Sequence, residues 1–111
     1  MKPRDNLTTL ELMLLLILVR LKDEAYGIPI IRELEERTGR YASIGAVYAS
    51  LQRLEEKGFV VSNVGEATSE RGGRAKRYFR ITAMGLKRLR ETKKTLTDLW
   101  RNLPQLEGGT T

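Results

Sequence analysis

The sequence predicts a mainly α-helical chain with one two-stranded β-hairpin between the third and fourth helices. Apolar residues recur every three or four positions in four segments, they alternate in two short segments after the third, and the cations gather around the second of these. With 111 residues, 41% of them hydrophobic, the chain is sized for a single core.

The first helix is expected from about Leu7 to Leu21, on the stripe Leu7, Leu10, Leu14, Ile17 and Leu21. Thr8 can cap it, with Glu11 three residues on as the second half of a capping box and Leu7 against Leu12 as a hydrophobic staple. Leu12, Met13, Leu15, Leu16, Leu18 and Val19 make this helix apolar nearly all round. One small domain cannot easily cover that much, so a second subunit is expected to.

The second helix is expected near Ala25 to Thr38, with Tyr26, Ile30 and Leu34 in register, Ile31 beside them, Pro29 in the first turn and Gly39 as the stop. The third runs from Ser43 or Ile44 to Lys57, with Ser43 as N-cap and Gly58 as stop. Ile44, Val47, Tyr48, Leu51 and Leu54 form its inward face. Ala46, Ala49, Ser50 and Arg53 lie opposite, with Gly45 beside them. Small side chains there suit a helix that closely approaches the wall of a DNA groove.

Phe59 to Val64 reads as a strand, and Arg74 to Thr82 as a second with Ala75, Arg77, Phe79 and Ile81 on one side. The glycine-rich stretch Gly65 to Gly73 joins them as a hairpin. Thr82 then caps a last helix, with Ile81 and Leu86 as a second staple. Leu89, Leu96 and Leu103 are seven apart, as are Leu86, Lys93 and Trp100, giving an a/d seam with one lysine inside it. Dimerisation is therefore expected through the first and last helices, on Leu10, Leu14, Ile17, Leu86, Leu89, Leu96, Trp100 and Leu103. Pro104 to Thr111 is expected to be a frayed, flexible tail.

The absence of Cys and His removes disulfides, thiolate nucleophiles, imidazole bases and Cys/His zinc sites together. Glu35/Glu36 and Glu55/Glu56 are adjacent on helices and point in different directions, so neither pair forms an acid and base. No enzyme, metal or cofactor is expected. The longest apolar run, Leu12 to Val19, has eight residues, against roughly twenty for a membrane span. With a polar start that lacks a cleavage-type sequence, this reads as a cytoplasmic chain with no membrane partner.

The net charge is +6, but residues 71–94 carry ten of the twenty cations and a single acid, Glu91. Such a local excess attracts a polyanion and gains from releasing its counterions. Three helices followed by a basic hairpin is the order of a winged helix-turn-helix. The third helix would enter the major groove of double-stranded DNA, while Arg71, Arg74, Lys76 and Arg77 would reach phosphates or the adjacent minor groove.

On the recognition helix the candidates are Ser43, Gly45, Ala46, Tyr48, Ala49, Ser50 and Arg53. Tyr48 reads either as core or as a buried ring whose hydroxyl reaches a phosphate. Ser43 and Ser50 read equally as DNA contacts or as cap and surface residues, and Arg53 as a phosphate contact or the partner of a neighbouring Glu. Trp100 reads as dimer core or as the lining of an effector pocket between subunits.

The stretches "LTTLELMLLLILVRL", "EAYGIPIIRELEERTG", "SIGAVYASLQRLEEKGFV" and "GGRAKRYFRITAMG" together resemble the PadR family of bacterial transcriptional regulators, over about Leu7 to Leu103. The resemblance implies a winged helix-turn-helix over residues 1–82, with recognition helix Ser43 to Lys57 and wing Phe59 to Thr82. A single C-terminal dimerisation helix would span residues 83–103 and a tail residues 104–111. It implies a homodimeric repressor, or occasionally an activator, on a short palindromic operator, often released by a small aromatic or drug-like effector. The longer hairpin loop "GEATSERGG" sets this chain apart from many relatives.

Overall fold

The computed structural model describes residues 6–65 and 76–106. In chain order these form α1 (Thr9–Leu21), a 3-10 turn (Lys22–Glu24), α2 (Gly27–Thr38), α3 (Ile44–Glu56), β1 (Val60–Val64), β2 (Arg77–Ile81), α4 (Ala83–Trp100) and a second 3-10 turn (Pro104–Leu106). The predicted class stands: four helices and one antiparallel hairpin, with Val60 paired to Ile81 and Val64 to Arg77. Gly65 N–H closes the next rung on the Lys76 carbonyl at 2.7 Å.

The core is organised around α1, whose Leu14, Leu15, Ile17 and Leu18 are buried against Ile30 and Leu34 of α2, Val47, Leu51 and Leu54 of α3, and Phe59, Val60 and Phe79 of the hairpin. Leu14 and Ile17, expected at a dimer surface, are therefore core residues of the single chain. Leu10 is half-buried and packs on the same core. The apolar surface left outside on α1 is Leu16 and Val19, with Leu12 half-exposed beside them.

Local capping chemistry sets the helix ends. Thr8 and Glu11 form the reciprocal box, Glu11 N–H donating to Thr8 Oγ1 at 3.0 Å and Thr8 N–H to Glu11 Oε1 at 2.9 Å. Ser43 accepts from Ala46 N–H at 3.1 Å, and Thr82 from Gly85 N–H at 3.0 Å. Gly39 stops α2 at φ 68°, the left-handed conformation that glycine adopts without a Cβ penalty.

Four expectations are corrected. Helix α2 begins at Gly27, and Tyr26 is its extended N-cap because that stretch pairs with β2 instead: Tyr26 and Tyr78 form a β-bridge, and Phe79 N–H donates to the Ala25 carbonyl at 2.9 Å. The inward stripe of α3 is Val47, Ser50, Leu51 and Leu54, while Ile44, in the first turn, is 60% exposed. Helix α4 ends at Trp100, where Arg101 turns extended and Asn102 takes φ 61°. Pro104–Leu106 is a 3-10 turn rather than frayed chain, with Leu106 N–H on the Leu103 carbonyl at 2.9 Å. The hairpin tip lies outside the described residues, as does the end of the expected tail.

Helix α4 leaves the body of the molecule. Its N-terminal turn is fixed by Thr82, whose N–H and hydroxyl donate to the carbonyls of Phe59 and Gly58, and by buried Gly85 against Phe59 and Ile81. From Lys93 onward every helical residue is exposed. The radius of gyration is 16.3 Å, against about 13 Å for a compact chain of this length. Among the described residues no helix is long and apolar enough to cross a membrane.

A Cβ on Gly85 would collide with the Phe59 carbonyl and come within 2.6 Å of Ile81 Cγ1. Gly85→Ala is expected to destabilise the fold by about 1–3 kcal/mol despite the better helix propensity of Ala, measured as a lower urea midpoint.

Candidate nucleic-acid interface

Helix α3 turns Ser43, Gly45, Ala46 and Ala49 outward together, as expected. Nothing lies within 4 Å of where a Gly45 Cβ would be, so packing does not require glycine there. Ser50 does not join this face. It is fully buried, and its hydroxyl accepts from Arg53 Nη2 at 2.9 Å, which is what makes a serine tolerable inside.

Arg53 stays half exposed but is anchored at two points, on Ser50 and through Nε on Glu11 Oε2 at 3.1 Å. Lys57, one turn on, donates to Glu11 Oε1 at 2.8 Å and to the Asn6 carbonyl at 2.7 Å. Glu11 is thus a completely buried carboxylate that ties the start of α1 to the end of α3. Its cap partner was readable from the Thr8-x-x-Glu11 spacing. Its bonds to Arg53 and Lys57, 42 and 46 residues away, had no sequence signal.

Burial alone raises the Glu11 pKa, but the hydrogen bonds from Lys57, Thr8 N–H and Arg53 and the Lys57 charge outweigh it. The carboxyl titrates below its ordinary value of 4.5.

Tyr48 is not a plain core residue. It is 40% exposed, its ring tilts against Phe79 with centroids 6.1 Å apart, and its hydroxyl lies where a Gly27 side chain would be. Glycine at the first position of α2 thus makes room for a residue of α3.

On the hairpin, Lys76 and Arg77 are exposed; Arg71 and Arg74 lie outside the described residues. Arg77 Nη1 donates to Ser62 Oγ at 2.7 Å, and that hydroxyl donates to Glu55 Oε2 at 2.8 Å. Arg77, β1 and α3 are thereby linked side chain to side chain. Tyr48, Gln52, Glu55, Arg77 and Phe79 line the cleft between helix and hairpin, about 360 Å³ in volume. Exposed Arg80 adds a hairpin cation not singled out from the sequence.

The expected dimer residues of α4 are placed differently from one another. Leu86, half-buried Leu89 and Leu96 line an apolar groove of about 520 Å³ with Leu12, Leu16 and Val19, rimmed by Arg90 and Lys93. Trp100, 59% exposed, and Leu103 lie farther along and are not among the residues lining it.

A helix presenting small side chains beside a hairpin presenting cations, both on a three-helix core, defines a winged helix-turn-helix DNA-binding protein. The sequence profile of the transcriptional regulator PadR-like family matches residues 14–91, so the chain belongs to that family of DNA-binding transcriptional regulators, which are not enzymes. No curated protein matches the chain.

Among solved structures, it is similar to a PadR family transcription regulator from Clostridium difficile (26% identity, TM-score 0.76, 91% of this chain and 100% of that one). It is also similar to a PadR-like transcriptional regulator from Bacillus cereus (25%, 0.70, 91% and 93%). A PadR family transcriptional regulator from Eggerthella lenta is a third (26%, 0.67, 88% and 83%).

Because the Glu11 pKa is lowered in the folded state, its contribution to stability is present at neutral pH and is lost as pH falls below about 4.5 through the folded-state value. Glu11→Gln is expected to cost about 1.5–3 kcal/mol at pH 7 and to flatten the acid limb of the stability curve, measured by urea unfolding across pH. An unchanged acid limb would mean that Glu11 is not the group responsible.

Proposed function

We propose that the chain acts as a homodimeric repressor on a palindromic operator, with α3 in the major groove and the hairpin cations on flanking phosphates. The observation that carries this is the joint placement of the small face of α3 and the Arg77–Ser62–Glu55 link, which ties a hairpin cation to the same rigid body. In this reading Ser43, Gly45, Ala46, Tyr48, Ala49 and Arg53 face the groove or its phosphate walls. Lys76 and Arg77 clamp the backbone, joined by Arg71 and Arg74. Residues 1–82 are the DNA-binding unit, residues 83–103 the dimerisation segment built on α4, and the setting is cytoplasmic.

The second copy covers Leu12, Leu16, Val19, Leu86 and Leu96, then Leu99, Trp100 and Leu103. Support comes from the apolar groove that Leu12, Leu16, Val19, Leu86 and Leu96 line between α1 and α4, and from the exposed Leu99, Trp100 and Leu103 farther along the chain. A small planar aromatic effector fits the same seam, between apolar walls and the rim cations Arg90 and Lys93. It would release DNA by favouring a dimer with wrongly spaced recognition helices.

Footprinting on the chain's own promoter region tests the reading; a two-fold symmetric footprint is expected, and its absence there and on random fragments counts against it. Leu96→Asp should convert a sedimenting dimer to monomer at micromolar concentration by placing a charge in the seam. Gly45→Ala should stabilise the protein by up to about 1 kcal/mol while weakening operator binding, since Ala suits the helix but its methyl meets the groove. Equal operator affinity would remove α3 from the groove wall.

A further inference from the structure

Tyr26 has no part in the interface as drawn so far, yet contacts from three residues converge on it. Its carbonyl starts α2, accepting from Ile30 N–H at 3.0 Å, and its backbone bridges to Tyr78. Its ring meets the Tyr78 ring with centroids 5.2 Å apart and planes at 59°. The Lys76 ammonium sits 4.5 Å from the centre of the same ring, with Nζ 3.5 Å from the Tyr26 hydroxyl. The Lys76 backbone is fixed as well, by Gly65 N–H.

We propose that Tyr26 is a positioning residue for DNA binding: its ring holds the Lys76 ammonium ready for a phosphate. The proposal rests on the phosphate-clamp reading of the hairpin. A lysine on a surface strand end ordinarily samples many rotamers, and ordering it at a phosphate subtracts from affinity. Here the ring face attracts the cation through its quadrupole and fixes the head, while Tyr78 and the β-bridge fix the ring.

The choice of an aromatic partner matters. A carboxylate would hold the lysine too, but it would neutralise the charge that a phosphate needs and would have to be displaced. A tyrosine ring adds no charge, and an ammonium with three donors keeps some free even where one is aimed at the hydroxyl. Arg77, by contrast, is held by Ser62 and, behind it, Glu55. The two neighbouring cations are thus braced by different means.

The test is a double-mutant cycle, read as affinity for a random-sequence duplex by fluorescence anisotropy over a salt series. Tyr26→Leu should weaken binding about two- to tenfold, and Tyr26→Phe, which keeps the ring, should stay near wild type. In a Lys76→Ala background Tyr26→Leu should have no further effect. Additive losses, or a Phe variant as weak as the Leu variant, would overturn the proposal.

Should Tyr26→Leu fail to fold, the wild-type protein still decides. The Lys76 Cε protons should resonate upfield under the ring current of Tyr26, with Tyr26→Phe preserving the shift, and unshifted protons overturn the stacking. Lys76→Ala with wild-type affinity and salt slope overturns the clamp reading itself, an outcome distinct from a normal Lys76→Ala loss accompanied by a neutral Tyr26→Leu.

Discussion

A single buried carboxylate fixes how α3, the helix proposed to enter the groove, sits on the rest of the molecule. Glu11 leaves none of its surface to solvent, and an ionised group so placed is tolerable only because three donors surround it. Two of those donors, Arg53 in the last turn of α3 and Lys57 at its C-cap, lie one turn apart, so the carboxylate constrains both the rotation of that helix and its height along α1. The rotation explains the exposed faces: with Arg53 turned toward Glu11 and Ser50 beneath it, Val47, Leu51 and Leu54 point inward and Gly45, Ala46 and Ala49 outward. One face of α1 therefore holds α3, while Leu12, Leu16 and Val19 on another line the groove beside α4.

What could be read from the sequence was mostly what a few neighbouring residues decide. The caps at Thr8, Ser43 and Thr82 and the stop at Gly39 depend on spacings of one to four residues, and all are present. The misjudged positions were those where a distant partner decides. Ser50 looks like a surface residue until Arg53 is turned inward to satisfy it. Ile44 looks like core by its spacing, but it falls in the first turn of α3, where it is exposed. Tyr26 fits the stripe of α2, but the bridge to Tyr78 draws it out.

The misplacement of Leu14 and Ile17 has a related origin. A helix apolar on all sides gives no internal sign of which stripe faces its own core and which faces outward. Only the positions of α2, α3 and the hairpin around α1 divide Leu14 and Ile17 from Leu16 and Val19. For the interface, the outward small face of α3 was legible because those residue types are unusual on an exposed helix. The braces on Arg53 and Arg77 were not, since each depends on contacts across the tertiary structure.

The projecting end of α4 has a consequence for how the protein responds to its own abundance. Every helical residue from Lys93 to Trp100 is exposed, and in proteins most helical stability comes from packing an apolar face rather than from propensity. If a second copy covers it, as proposed, ordering that segment and pairing two chains become one event. Occupancy of a two-fold operator then rises steeply with chain concentration wherever free monomer predominates, and the melting temperature becomes concentration-dependent by mass action. The uncovered end of α4 would act in that case as a threshold, keeping sparse chains off the operator until enough are present to complete one another's fold.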